Sequence, residues 1–149
     1  MKWVTRKHIR VNRVATAWLI RRFIDYQAEF IFVEPAAVAT IQVRENAHGF
    51  DALGATYPHK DGQGRCSFEA LVDEHCASDT VLKEMARMVR GADFADETNL
   101  TEESAGIRTM SQGFPLVSKD DHETVEKAGF LYDALYASIK ARQSSKPTA

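Results

Sequence analysis

Cysteine is scarce in this sequence: Cys66 and Cys76 are the only two in 149 residues. Two are too few for a disulfide framework, and both are expected to be reduced thiols. Net positive charge is missing as well. Nineteen Lys and Arg stand against 21 Asp and Glu, giving −2. A general nucleic-acid binder is normally clearly basic, so direct DNA binding is not expected. No apolar run is long enough to cross a bilayer, so no membrane partner is expected. The opening MKWVTRKHIRVNR carries bases but no apolar segment behind them, unlike a secretory signal, and the expected compartment is the cytoplasm. Glycine patterns that cradle phosphates are absent too. Gly62 and Gly64 lie in a loop without the strand–turn–helix context such a motif needs. There is no CxxC, no HExxH, no repeat and no second domain. What is present is ordinary for a globular chain, 44% hydrophobic and 27% charged, long enough to bury one core.

The pattern along the chain predicts a helix-rich α+β single domain with a small β-sheet. WVTRK (3–7) alternates as a short strand. Asn12 is a candidate cap for a helix over 13–25 that is apolar nearly all round and therefore central. EFIFVE (29–34) reads as a buried strand. Pro35 opens a weaker helix to Arg44. Residues 46–65 form a long glycine-containing loop, with a short strand near 55–58; loops of this length in a compact domain are often functional. Ser67 is a candidate cap for 68–76, with His75 and Cys76 on its apolar face. Ser78 or Asp79 opens a helix ending at Gly91. Thr101 opens one closed by Gly113 and Pro115. Asp120 and Glu123 have capping-box spacing before a last helix to about Ala141. The domain is expected to span 1–141, with 142–149 a disordered tail.

Charge is uneven. Residues 1–25 hold seven bases against Asp25, whereas 93–103 hold Asp93, Asp96, Glu97, Glu102 and Glu103 with no base. One reading is a pair of complementary solvated surfaces. The sharper reading is a basic anion-facing helix beside an acidic metal-facing loop. The stretch PHKDGQGRCSFE (58–69) supplies a nitrogen donor, His59, a sulfur donor, Cys66, and a hard oxygen, Glu69. Cys66 sits before a helix N-terminus, where the dipole favours a thiolate. Asp93 and Glu103 lie at helix boundaries that can aim carboxylates into a cleft. Each has a plain structural reading beside it: first-turn acids for Glu69 and Glu103, a small core residue for Cys66. Arg13 and Arg21 share a row on the greasy helix, with Arg22 about 100° round. Guanidinium forks there suit an oxyanion or a carboxylate from the 93–103 loop.

At this point the residues carry a resemblance. WVTR, NRVATAWLIRRFID, EFIFVE, FDALGATYPHKDGQGRCSFE, RGAD, EESAGI, KDDHE and LYDALY occur in this order over nearly the whole chain. Together they resemble the C-terminal domain of the chromate-resistance ChrB family. The family opens its first helix with Asp-Arg where this chain has Asn12–Arg13, which removes a charge. Longer members carry a further N-terminal region linked to chromate-responsive regulation, and some relatives carry a rhodanese-like sulfurtransferase domain. The resemblance adds weight to His59, Cys66, Glu69, Asp93 and Glu103 as ligands of a divalent Zn, Mn or Fe, and to Arg13, Arg21 and Arg22 as anion-facing groups. It implies a metal- or oxyanion-responsive domain. The alternatives are a metal-dependent enzyme with an open coordination position and a module that binds a protein partner.

Overall fold

A computed structural model describes residues 1–145. The elements in order are strand β1 (Lys2–Arg6), helix α1 (Asn12–Leu19) continued by a π-helical turn (Ile20–Ile24), strand β2 (Glu29–Val33), a 3₁₀ turn (Pro35–Ala37) leading into α2 (Val38–Arg44), strand β3 (His48–Gly49), and helices α3 (Ser67–His75), α4 (Thr80–Asp93), α5 (Ser104–Val117) and α6 (Asp121–Ser145). The three strands form one sheet in the order β2-β1-β3. Both pairings are parallel, with Val4 opposite Ile31 on one side and Gly49 on the other. Parallel neighbours cannot be joined by a hairpin, so each connection is a crossover through a helix.

Alternation along β1 sends neighbouring side chains to opposite faces. Trp3 joins the main core with Phe30, the α1 residues Val14, Trp18 and Leu19, and residues of α3, α4 and α6. Val4 joins a smaller core with Val38 and Ile41 of α2 and with Ala47 and Ala52. The sheet is thus covered by α1 and its neighbours on one face and by α2 on the other. Helix α1 is buried along its whole length, as its all-round apolar pattern predicts.

Several local expectations change. Asn12 does not cap α1. It is fully buried inside the helix, accepting from Thr16 Oγ1 at 2.9 Å and donating to Ser67 Oγ at 2.7 Å. That interaction also takes Ser67 from its predicted cap role: Cys66 holds the N-cap of α3, and its N–H donates to Glu69 Oε1 at 3.1 Å. Gly91 does not stop α4, which runs to Asp93. A Cβ there would lie 2.3 Å from Ser104 Oγ, so glycine permits the close approach of α5. Helix α5 likewise runs through Gly113 and Pro115 to Val117. In the 46–65 loop the strand falls at His48–Gly49, and only a single bridge, Phe50 to Tyr57, forms where a strand was expected. His75 is exposed rather than core. Helix α6 continues to Ser145, and Arg142 and Gln143 bond to Glu84. The tail expected to be disordered is therefore helical over 142–145, and its remainder lies outside the described residues. Among the described residues, no helix is long and apolar enough to cross a membrane.

Candidate functional site

The carboxyl ends of β1 and β3 open onto one corner of the molecule. Arg6 ends β1. Asp51 follows β3 by two residues, held by its N–H donating to Tyr57 O at 2.7 Å and its carbonyl accepting from Arg6 Nε at 2.7 Å. Its φ of 49° is left-handed, a region that Asp tolerates better than most residues. Val11, beside the same corner, also has φ 49°. A β-branched residue is rarely found there, and such strain persists only where the surroundings impose it. Here the preceding turn is pinned by Asp121, which accepts from the N–H groups of His8 and Ile9 at 2.9 and 2.8 Å.

Three potential ligands converge at this corner. His59 Nδ1 lies 2.8 Å from Asp51 Oδ1 and 3.3 Å from Asp93 Oδ2. One donor atom from each of the three residues lies within 4.8 Å of the others. Asp51 and Asp93 side chains are only 3% and 11% exposed, while His59 is half exposed, so the carboxylates sit inward and the imidazole faces outward. Phe94 stacks edge-on against the His59 ring, with centroids 5.3 Å apart. The Asp93 contact is close enough for an ion pair but not aligned as a hydrogen bond, and Asp93 Oδ2 is a buried oxygen with no hydrogen-bond partner.

The electrostatics follow from this crowding. Burial, and then the neighbouring Asp51 charge, push the Asp93 carboxyl up to about 7, with His59 and Arg13 pulling the other way. The hydrogen bond to Asp51 is the largest influence raising the His59 pKa, opposed by its partial burial. Buried carboxylates that repel one another are stabilised by a proton or by a cation between them. The set of one imidazole nitrogen and two carboxylates suits Zn, Mn or Fe better than Ca.

Asp51 and Asp93 also line a cavity of about 170 Å³ with Arg6, Arg10, Arg13, Arg108 and Gln112. Arg6 Nη2 is 3.3 Å and Arg13 Nε 3.8 Å from Asp51 Oδ2. Arg13 is nine-tenths buried, with a side chain 10% exposed. Burial, more than the neighbouring Arg6, lowers its pKa, and Asp51 counters this. Among the described residues, Arg13 Nε and Arg108 Nη1 are buried with no hydrogen-bond partner. Arg13, Arg108 and Asp93 all line this polar cavity, and each carries one buried polar atom without a hydrogen-bond partner.

The structure brings together His59, Asp93 and Arg13 and separates the other candidates. Glu69 completes the α3 cap and contacts Arg90 Nη1 at 3.2 Å. Glu103 lies 3.7 Å from Arg142. Cys66 is fully buried in the main core. Desolvation raises its thiol pKa well above the ordinary value, against the expected dipole activation; the nearby Glu69 N–H only partly offsets this. Arg21 donates to Ala28 O at 3.2 Å, covers the Phe30 ring at 4.9 Å and lies 4.0 Å from Glu126. Arg22 pairs with Asp133 at 3.5 Å. The arginine row thus splits between two places, and of the 93–103 acids only Asp93 faces it. Asp51, Arg6, Arg10 and Arg108 were not singled out by sequence reasoning. Asp51 lies in the glycine-containing loop eight residues before His59, a signal of residue type that could have been used.

The family model described as "ChrB, C-terminal domain" matches residues 3–139. Protein ChrB of Cupriavidus metallidurans is 34% identical over 136 residues, which covers 91% of this chain and 40% of that protein. The chain thus spans less than half the length of the curated relative it matches. No solved structure matches it. With the family model covering nearly every element from β1 to α6, the chain belongs to the ChrB C-terminal domain family.

Proposed function

We propose that this domain serves chromate resistance as a metal- and oxyanion-responsive element. Asp51, His59 and Asp93 hold a divalent cation such as Zn, Mn or Fe, and the arginines behind them face a small oxyanion. The observation that carries this reading is the set of buried atoms with no hydrogen-bond partner at one corner: Asp93 Oδ2, Arg13 Nε and Arg108 Nη1. Buried polar atoms are nearly always satisfied, so three at one site point to a missing partner of both signs. A cation satisfies the carboxylate and an anion satisfies the guanidiniums. The link to chromate resistance rests on the family, and the response of the whole ChrB protein is not carried over to this shorter chain.

The test is elemental analysis of protein purified without a histidine tag, together with melting curves in added metal and added sulfate. Bound metal in the parent and its loss in His59→Ala are expected. A ligand that binds only the folded state raises its stability by mass action, so both additions should raise Tm. A parent that neither carries nor takes up a divalent cation, and whose Tm is indifferent to sulfate, refutes the reading.

A further inference from the structure

Asp51 serves two sets of partners with one carboxylate. Its Oδ1 lies 2.8 Å from His59 Nδ1, on the metal side, and its Oδ2 lies 3.3 Å from Arg6 Nη2 and 3.8 Å from Arg13 Nε, on the cavity side. The side chain is 3% exposed and cannot turn out to water. Whatever draws its charge toward one side withdraws it from the other.

We infer that the cation and the oxyanion bind as a coupled pair, each strengthening the other through Asp51; this rests on the site reading given above. A cation held by Asp51, His59 and Asp93 consumes the negative charge that now compensates Arg6 and Arg13. Arg13 is nine-tenths buried, its Nε has no hydrogen-bond partner, and its Nη2 reaches only the neutral His8 carbonyl at 3.5 Å, so the loss leaves a buried guanidinium short of counter-charge. Such a group requires a new counter-charge, and an anion in the adjoining cavity supplies it. The converse also holds. An anion entering first meets the Asp51 and Asp93 carboxylates on the cavity wall, and a cation bound between them removes that repulsion. Each ligand also offsets the charge that the other adds to a site where four guanidiniums surround two carboxylates.

The size of the cavity suits a small anion. About 170 Å³ is the space of roughly five to six waters at about 30 Å³ each. It accommodates a small tetrahedral dianion with some hydration. Coupling of this kind is reciprocal: the factor by which the cation tightens the anion equals the factor by which the anion tightens the cation. A factor of about ten or more is expected, within the range of roughly 5–150 seen for coupled sites.

The experiment is isothermal titration of the full chain, stripped with chelator and held at constant ionic strength with chloride. Sodium sulfate is titrated with and without saturating manganese chloride. Manganese chloride is then titrated with and without saturating sulfate, with free concentrations corrected for the manganese–sulfate ion pair. Equal tightening of about tenfold or more in both directions supports the coupling. If both ligands bind but are indifferent to one another, or compete, the coupling is overturned and the site reading stands. If neither binds, the site reading itself fails and takes the inference with it. The variant Asp51→Asn isolates the mediator, because Asn tolerates the same left-handed backbone. Metal-free Asp51→Asn should bind sulfate about as tightly as the manganese-loaded parent, and manganese should no longer change that affinity. A variant whose sulfate affinity still responds to manganese as the parent's does overturns Asp51 as the link.

Discussion

The metal-free protein should lose stability as pH rises from about 5.5 to about 8, the reverse of the trend that paired surface carboxylates give in acid. Asp93 is the cause. Its pKa in the folded chain stands at about 7 against an ordinary 3.8. Between those values the folded chain holds a proton that the unfolded chain has released. Stability then falls with rising pH, because the folded state binds more protons. The full displacement corresponds to ~4 kcal/mol at about 1.4 kcal/mol per pKa unit. Most of the Asp93 titration lies inside the chosen window, and integrating it there gives about 2 kcal/mol. His59 acts in the same sense: its folded pKa is raised, so the stability it contributes is present at low pH and lost as pH climbs through that pKa. The two groups share one cluster, and the effects are not added. Carboxylates whose pKa is lowered, such as Asp61 beside Arg65, stabilise at neutral pH and lose that contribution only in acid, below the window. Urea unfolding in the presence of chelator, at the two pH values, reads the difference. Asp93→Asn should flatten it, and a divalent cation added at the upper pH should restore what deprotonation removed. Stability that is level or rising across the window in chelated parent, or an undiminished fall in Asp93→Asn, refutes the reasoning.

Other predictions rest on separate contacts. Gly91→Ala should destabilise by about 1–3 kcal/mol through overpacking, since its Cβ would lie 2.3 Å from Ser104 Oγ and 3.0 Å from Glu97 O; a urea midpoint equal to that of the parent would contradict this. Arg21→Met should lower Tm without altering any sulfate-dependent stabilisation, whereas Arg13→Met should weaken that stabilisation, because of the two only Arg13 borders the cavity; thermal melts with and without sulfate separate the two. With a thiol reagent at neutral pH, partly buried Cys76 should react in the folded protein and fully buried Cys66 only on unfolding; rapid modification of Cys66 under native conditions would show that the α3 cap opens.

How much of this was legible depends on whether a residue's partner is local. The α4 stripe of Val81, Leu82, Met85, Met88 and Val89 is buried as its helical spacing predicts, and so are Val125, Ala128, Tyr132 and Ile139 of α6. Periodicity needs no knowledge of what covers the face. Asn12, Gly91 and Pro115 were misread for the opposite reason. Each is a residue type that usually ends or caps a helix. Asn12 instead serves a buried contact to α3, and Gly91 a close approach by α5. A partner distant in sequence overrides the local preference. Cys66 is the same lesson in electrostatics: the helix N-terminus was visible in the sequence, the full burial that raises the thiol pKa was not.

The site itself follows from topology. β1 is the central strand, and the chain passes through α1 to β2 on one side of it and then through α2 to β3 on the other. The two helices cover opposite faces of the sheet. The crevice outside the carboxyl ends of β1 and β3 is therefore where the strand order reverses, the place at which open parallel sheets bind ligands. Arg6 lies at the end of one of these strands and Asp51 just beyond the end of the other, while Arg13 comes from the helix that leaves β1. His59 and Asp93 reach the same point from the long loop and from the last residue of α4. No window of sequence contains this set, which spans residues 6 to 93. The π-helical turn at Ile20–Ile24, which carries Arg21 and Arg22, lies at the other end of α1 from Arg13. That position explains why the arginine row, contiguous on the helix surface, divides in the fold. Its first member faces Asp51, and its later members brace β2 and α6.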